Sequence, residues 1–221
     1  MCLRLNAASI TVPSGDRPEP PAFSGAGLGE GYFISALSCR PRIFSRPPMP
    51  RYVALLRGVS PMNCSMPDLK RSLEAAGLAD VKTLLSSGNV AFTVSRSLPG
   101  PVLQKRVEKA MKDGLGRSFA TVVRSGAQLQ QLIDADPFAE FDLPAGAKRV
   151  VTFLRSPGAV AEVALPLAEH DAWILKRSGG EVLSAYVPGE KGPVFMQLLE
   201  RTFGKDITTR SWDTVAKCAK A

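Results

Sequence analysis

The sequence has little of what most often betrays a chemistry. It contains one histidine, His170, and four cysteines, and no two cysteines share a Cys-x-x-Cys spacing. Neither a zinc site nor a disulfide framework is therefore expected, and a reducing cytoplasm fits that usage. No apolar run approaches the roughly 20 residues that a membrane span needs, so no membrane partner is expected. A Walker-type loop, a Gly-x-Ser-x-Gly elbow and metal-spaced His/Asp/Glu groups are all missing. The sequence names no catalytic residue, no metal and no cofactor, and it sets no oligomeric state. The strands also lack the aromatic pairs with which RNA-binding sheets stack bases.

What is present is enough apolar material for one good core or two small domains: 45% of 221 residues. Residues 1–48 read differently from the rest. They hold 7 of the 18 prolines with no helical or alternating pattern, a composition that cannot offset its ordering entropy. A disordered leader is expected there, or a start assigned too far upstream, with Met49 the natural beginning. The formal charge is +8, and residues 49–221 carry 23 basic against 17 acidic residues. That excess favours anionic partners, but it is scattered over helix faces rather than gathered in an arginine-rich run.

From Val53 onward the chain punctuates itself. A short apolar strand, Val53–Leu56, is followed by a helix with Pro67 in its first turn and Gly77 at its end. "VKTLLS" and "NVAFTV" make a hairpin through Ser87-Gly88. A helix over 99–115 and a strand in "FATVVR" complete βαββαβ, the ferredoxin-like order. "SGAQLQQLIDADPF" reads as a short helix ended by Asp136-Pro137. The order then restarts: a strand in "RVVTFL", a short helix over Ala159–Leu167, a hairpin across Ser178-Gly179-Gly180, a helix over Pro193–Phe203 and a strand in "DITTR". Ser211 caps a terminal helix with Asp213 in its first turn. The expectation is α+β: two tandem ferredoxin-like (βαββαβ) subdomains with antiparallel sheets, plus a C-terminal helix. The first subdomain spans 49–135, a linker 136–148, and the second subdomain 149–221.

The stretch "YVALLRGV…MPDLKRSLEAAGLADVKTLLSSGNVAF" resembles the domain of unknown function 1697 family. The resemblance resumes at "DPF", "VTFL", "YVPGEKG" and "TTRSWDTVAK", and so covers most of residues 50–221. It implies two α+β subdomains, and no catalytic residue, since none is established for the family. After the opening Arg-Gly the family usually carries an asparagine and a glycine-rich basic stretch. Here Ser60 and Pro61 stand instead, which weakens any backbone cradle for an anion.

Three functions stay open. A binding module for a small anionic ligand or nucleotide would use Arg57, Gly58, Ser87, Asn89, Thr208, Thr209 and Arg210, set beside a helix N-terminus at Ser211. In the opposing structural reading, the two arginines pair with acids or carbonyls and fasten the C-terminal helix to the first domain. A nucleic-acid binder would use the basic excess on an open sheet face. An enzyme would place its site in the cleft between the two subdomains. His170 reads as a solvated loop residue, and Trp212 as core.

Overall fold

Alternation along one strand sets the layers of the molecule. In β1 (Arg51–Leu56) every residue after Arg51 is buried, so both faces of the strand must be covered. Tyr52, Ala54 and Leu56 enter one apolar cluster, and Val53 and Leu55 enter another, as a side-chain period of two requires. The chain is described by a computed structural model over residues 49–189 and 194–221. The expected leader and the helix start at Pro193 lie outside the described residues.

The first sheet joins β1 to β2 (Ala79–Leu84), β3 (Asn89–Thr93) and β4 (Thr121–Ser125) in the order β2-β3-β1-β4, every pair antiparallel. Helices α1 (Met66–Ala75) and α2 (Gly100–Leu115) cover its outer face. Leu69 and Leu73 of α1, and Leu103, Val107 and Met111 of α2, pack on Tyr52, Ala54 and Phe92. Pro67 sits in the first turn of α1, where its missing N–H costs nothing, and Asp68 lies at the positive end of the dipole.

The second sheet is built from β5 (Lys148–Leu154), β6 (Leu167–Glu169), β7 (Ala172–Ser178), β8 (Glu181–Tyr186) and β9 (Ile207–Ser211), in the order β6-β7-β8-β5-β9, again antiparallel. Leave out β6 and its strands occupy the places of the first sheet: β7-β8-β5-β9 against β2-β3-β1-β4. Helix α4 (Val194–Phe203) covers its outer face through Phe195, Leu198 and Leu199. Helices α3 (Gly126–Asp134) and α5 (Trp212–Ala219) each follow the last strand of a sheet directly, and each is capped by a serine. Ser125 Oγ accepts from Gln128 N (3.1 Å) and Ser211 Oγ from Thr214 N (3.3 Å).

The inner faces of both sheets share one core. Val53, Leu55 and Val122 meet Val151, Phe153 and Leu183 there, with Leu129 from α3 and Trp212 and Val215 from α5. Trp212 stands edge-on to Phe138, ring centroids 5.1 Å apart, and is core as expected. The fold is α+β, with two antiparallel sheets and five α-helices among the described residues.

One expected element is absent. Ala159–Leu167 is not a helix: a single tight turn at Pro157–Ala159 leads through irregular chain into the added edge strand β6. Pro166 disfavours helix at its own position and at the residue before it. Arg177 also takes up the carbonyls that a helix would use, donating to Pro157 O (2.7 Å), Val160 O (3.3 Å) and Ala161 O (3.2 Å). In the first sheet, β1 beyond Arg51 and all of β3 are buried on both faces.

Candidate functional site

The tip of a strand leaves backbone carbonyls that need donors, and at two places arginines supply them. At the end of β1, Leu56 N donates to Gly88 O (2.8 Å) and Arg57 N to Ala120 O (2.9 Å). The Arg57 side chain reaches the approach to β9, donating from Nη1 to Lys205 O (2.6 Å) and Ile207 O (2.8 Å), while Nη2 pairs with the Glu200 carboxylate of α4. Arg210 of β9 returns the contact. Its Nη2 donates to Leu56 O (2.6 Å), Ser87 O (3.2 Å) and Gly88 O (3.3 Å), its Nη1 to Thr208 Oγ1 (2.9 Å) and Thr209 O (2.8 Å), and its Nε to Asn89 Oδ1 (2.5 Å). Asn89 is buried, and it anchors the hairpin turn through Nδ2 to Leu84 O (3.1 Å) and Ser87 Oγ (3.0 Å).

Most of the residues singled out from the sequence thus converge, though on each other. Every nitrogen of Arg210 has a protein acceptor, none of them a carboxylate. Burial lowers its guanidinium to about 10, and it remains charged at neutral pH. Thr208 and Thr209 do not act together, because neighbours on a strand face opposite ways. Thr208 meets Arg210, whereas the Thr209 hydroxyl meets that of Thr152 on the far face (3.0 Å). The helix start at Ser211 is already capped by its own side chain. Gly58 has φ +74° and open space where a Cβ would point, so no close approach occurs there. The close approach is at Gly88, where φ is +76° and a Cβ would lie 2.8 Å from Val59 Cβ.

A similar clasp recurs at the other end of the sheets, without the two carbonyl bonds that Arg57 makes. Leu154 N donates to Gly180 O (2.8 Å) and Arg155 N to Asp206 O (3.0 Å). Arg124 of β4 donates from Nη2 to Leu154 O (3.1 Å) and Gly180 O (3.2 Å), and from Nε to Glu181 Oε1 (2.5 Å). Arg155 grips both oxygens of Glu108 on α2, each at 2.8 Å. "VVRS" around Arg124 and "TTRS" around Arg210 are the trace of this in the sequence, as are Leu-Arg at 56–57 and 154–155. The sequence reading passed over Arg124 and Arg155, although those two repeats were the available signal.

Beside this second clasp lies a groove of about 710 Å³. Tyr52, Leu98, Gln104, Arg124, Pro157 and Gly180 are among its walls. Side chains close the adjoining edge of β4. Glu108 Oε1 accepts from Thr121 N (3.0 Å), Gln104 Oε1 from Val123 N (3.3 Å) and Gln128 Oε1 from Ser125 N (2.9 Å). Alternate donors of the edge strand are satisfied in this way without a further strand. The Tyr52 hydroxyl pins the groove's rim, bonding Ser97 Oγ (3.0 Å) and Leu98 O (3.1 Å).

Among the described residues neither cysteine is activated as a thiolate. Cys64 and Cys218 are buried and unbridged, and burial raises both thiols, Cys218 to about 11 against the opposing charge of Arg210. His170 is exposed in the turn between β6 and β7. Among the described residues no group of three or more His, Cys, Asp or Glu could hold a metal ion, and no helix is long and apolar enough to cross a membrane.

A solved structure, that of conserved bacterial protein SP0830 from Streptococcus pneumoniae, is similar in fold, with a TM-score of 0.56 at 19% identity. The match covers 78% of this chain and 97% of that one. No curated protein matches the chain. The family model described as "Protein of unknown function (DUF1697)" matches residues 49–177, a span that includes the Arg57-Gly58 and Ser87-Gly88 turns and stops before the "TTRSW" segment. The match takes in more than half of the sequence, and the chain belongs to this family.

Proposed function

We propose that the chain is a binding module for a small anionic ligand, built on two tandem ferredoxin-like units that meet through residues 136–148. Support for the tandem comes from the matching strand places and from the repeated clasp. Each half sends the arginine after its first strand to a glutamate on the other half's covering helix. Each also sends an arginine from its last strand to the other half's strand tip and hairpin turn. The lost helix at 159–167 and the added β6 are the second unit's departures.

The single observation that carries the ligand reading is the groove of about 710 Å³, within the size range of small-molecule sites. Its walls combine apolar surface with the start of α2 and two arginines. The cluster of Arg57, Gly58, Ser87, Asn89, Thr208, Thr209 and Arg210 is read as a fastening between the units, since a ligand there would have to displace the acceptors already held by Arg57 and Arg210. Thermal melting of the full chain with added phosphate, sulfate, citrate or nucleotide tests the function. A saturable rise is expected with at least one of them, worth about 2.7 kcal/mol at a hundred times its Kd. No rise with any anion overturns the proposal.

A further inference from the structure

Charge on the helices that cover the outer faces is settled on two of them and not on the third. The charged residues of α1 pair within the helix, Arg71 with Asp68 and Lys70 with Glu74. Those of α4 are also taken, Glu200 by Arg57 and Arg201 by Glu169. On α2 the acids are spent: Glu108 is turned to Arg155 at the tip of β5, and Asp113 holds Lys109. Lys105, Arg106 and Lys112 have no carboxylate at bridging distance among the described residues.

The lysines also share a face. Lys105, Lys109 and Lys112 follow one another at helical spacing and are all exposed, a row about 10 Å long on the solvent side of α2. Arg106 lies beside it, donating to Ala76 O (2.8 Å) and Gly77 O (3.2 Å) at the end of α1. Arg96 before the helix and Arg117 behind it are exposed as well. Residues 96–117 hold six basic residues against two acidic ones, so this segment carries +4 of the +6 borne by residues 49–221. An exposed field of one sign draws a partner of the other.

We propose that this face of α2 docks on the phosphate backbone of a nucleic-acid duplex. A duplex presents about one negative charge per 1.7 Å of its axis, so a row of this length meets several phosphates at once. Single strands are held by stacking their bases on exposed aromatic rings, and every described aromatic side chain is buried or half-buried. An anionic membrane takes a basic helix that also dips an apolar face into lipid. Leu103, Val107 and Met111 have spent that face of α2 on the core. Contacts to phosphate alone carry no base sequence, and the docking is therefore blind to it. Lys105, Lys109 and Lys112 are not among the walls of the groove, so the duplex and the small ligand occupy separate places.

Fluorescence anisotropy of short labelled DNA duplexes titrated with the full chain tests this. Saturable binding is expected, alike for two unrelated sequences, and weakening about 40-fold between about 50 and 200 mM salt as counterions leave three phosphates. The pair Lys105→Glu with Lys112→Glu is expected to melt like the wild type and to bind about tenfold more weakly or worse. The same change of charge placed elsewhere on the surface, Lys82→Glu with Lys148→Glu, is expected to cost much less. Equal losses from the two pairs would mean that net charge alone acts, and they overturn the docking face. So does the absence of duplex binding at about 50 mM salt. Tighter binding to a single strand of the same length, or to phosphatidylserine vesicles, overturns it as well. If the first pair does not fold, Lys105→Gln with Lys112→Gln takes its place with the same expected direction.

Discussion

The two clasps share a wiring plan and differ in charge. Arg124 finds a carboxylate, Glu181, at the position where Arg210 finds the neutral amide of Asn89. Arg124 is therefore neutralised, while Arg210 holds a positive charge among carbonyl, hydroxyl and amide oxygens alone, and burial pulls its guanidinium down. Fixed dipoles can do the work of a counter-ion when every donor of the planar fork is met. Whatever the clasps have in common belongs to holding the sheets together. Whatever sits beside only one of them, such as the groove of about 710 Å³ beside Arg124, is where a ligand is best sought.

The largest expected effect breaks the charged clasp. Arg124→Ala would strand Glu181 beside the interface and leave Leu154 O and Gly180 O short of a donor, costing about 3–5 kcal/mol in a denaturant titration. Arg210→Ala leaves Leu56 O and Asn89 Oδ1 without this donor and Gly88 O with Leu56 N alone, with no carboxylate stranded. Its expected cost is about 3 kcal/mol. If Arg210→Ala proves much the worse, the neutral clasp holds more than this comparison allows.

The hairpin turn sharpens the contrast within one clasp. Gly88→Ala combines a strained φ with a collision at Val59 and should cost about 3 kcal/mol. Gly58→Ala meets open space and should cost about 1 kcal/mol, from its φ alone. Equal losses in urea midpoints would mean that the close approach at Gly88 is relieved by movement of Val59.

Local signals made much of this fold legible in the sequence. Pro67, the Ser87-Gly88 turn and Ser211 each act on their own neighbours, and their elements lie where they were expected. The helix over 159–167 failed because Pro166 disfavours it and because Val160 O and Ala161 O near its start are taken by Arg177, a partner that spacing could not reveal. The clasps were half legible: Arg57 and Arg210 stand out, but their acceptors lie more than 120 residues away in the chain. The groove was not legible, since β4, the start of α2 and the β7–β8 turn meet only in the folded chain.

A smaller effect concerns pH. Cys218 on α5 is buried beside Arg210's field, its thiol raised to about 11. An unfolded thiol ionises near its ordinary value, whereas the folded one keeps its proton, so the native state binds more protons in between. Stability should then fall as pH rises from about 9 to about 11. Urea titrations at both ends of that window should show wild type losing about 1 kcal/mol more than Cys218→Ala. Equal losses would mean that the thiol ionises as freely in the folded state as in the unfolded one.

The division between fastening and binding is tested most directly by Arg57→Ala, melted with and without phosphate. The Arg57–Glu200 pair is about one-third exposed on each side, so its loss should lower the melting temperature by the equivalent of only about 1 kcal/mol. The rise on adding phosphate should match that of the wild type. A variant that melts like the wild type but no longer responds to phosphate would contradict this, and would place the ligand at the clasp of Arg57 and Arg210.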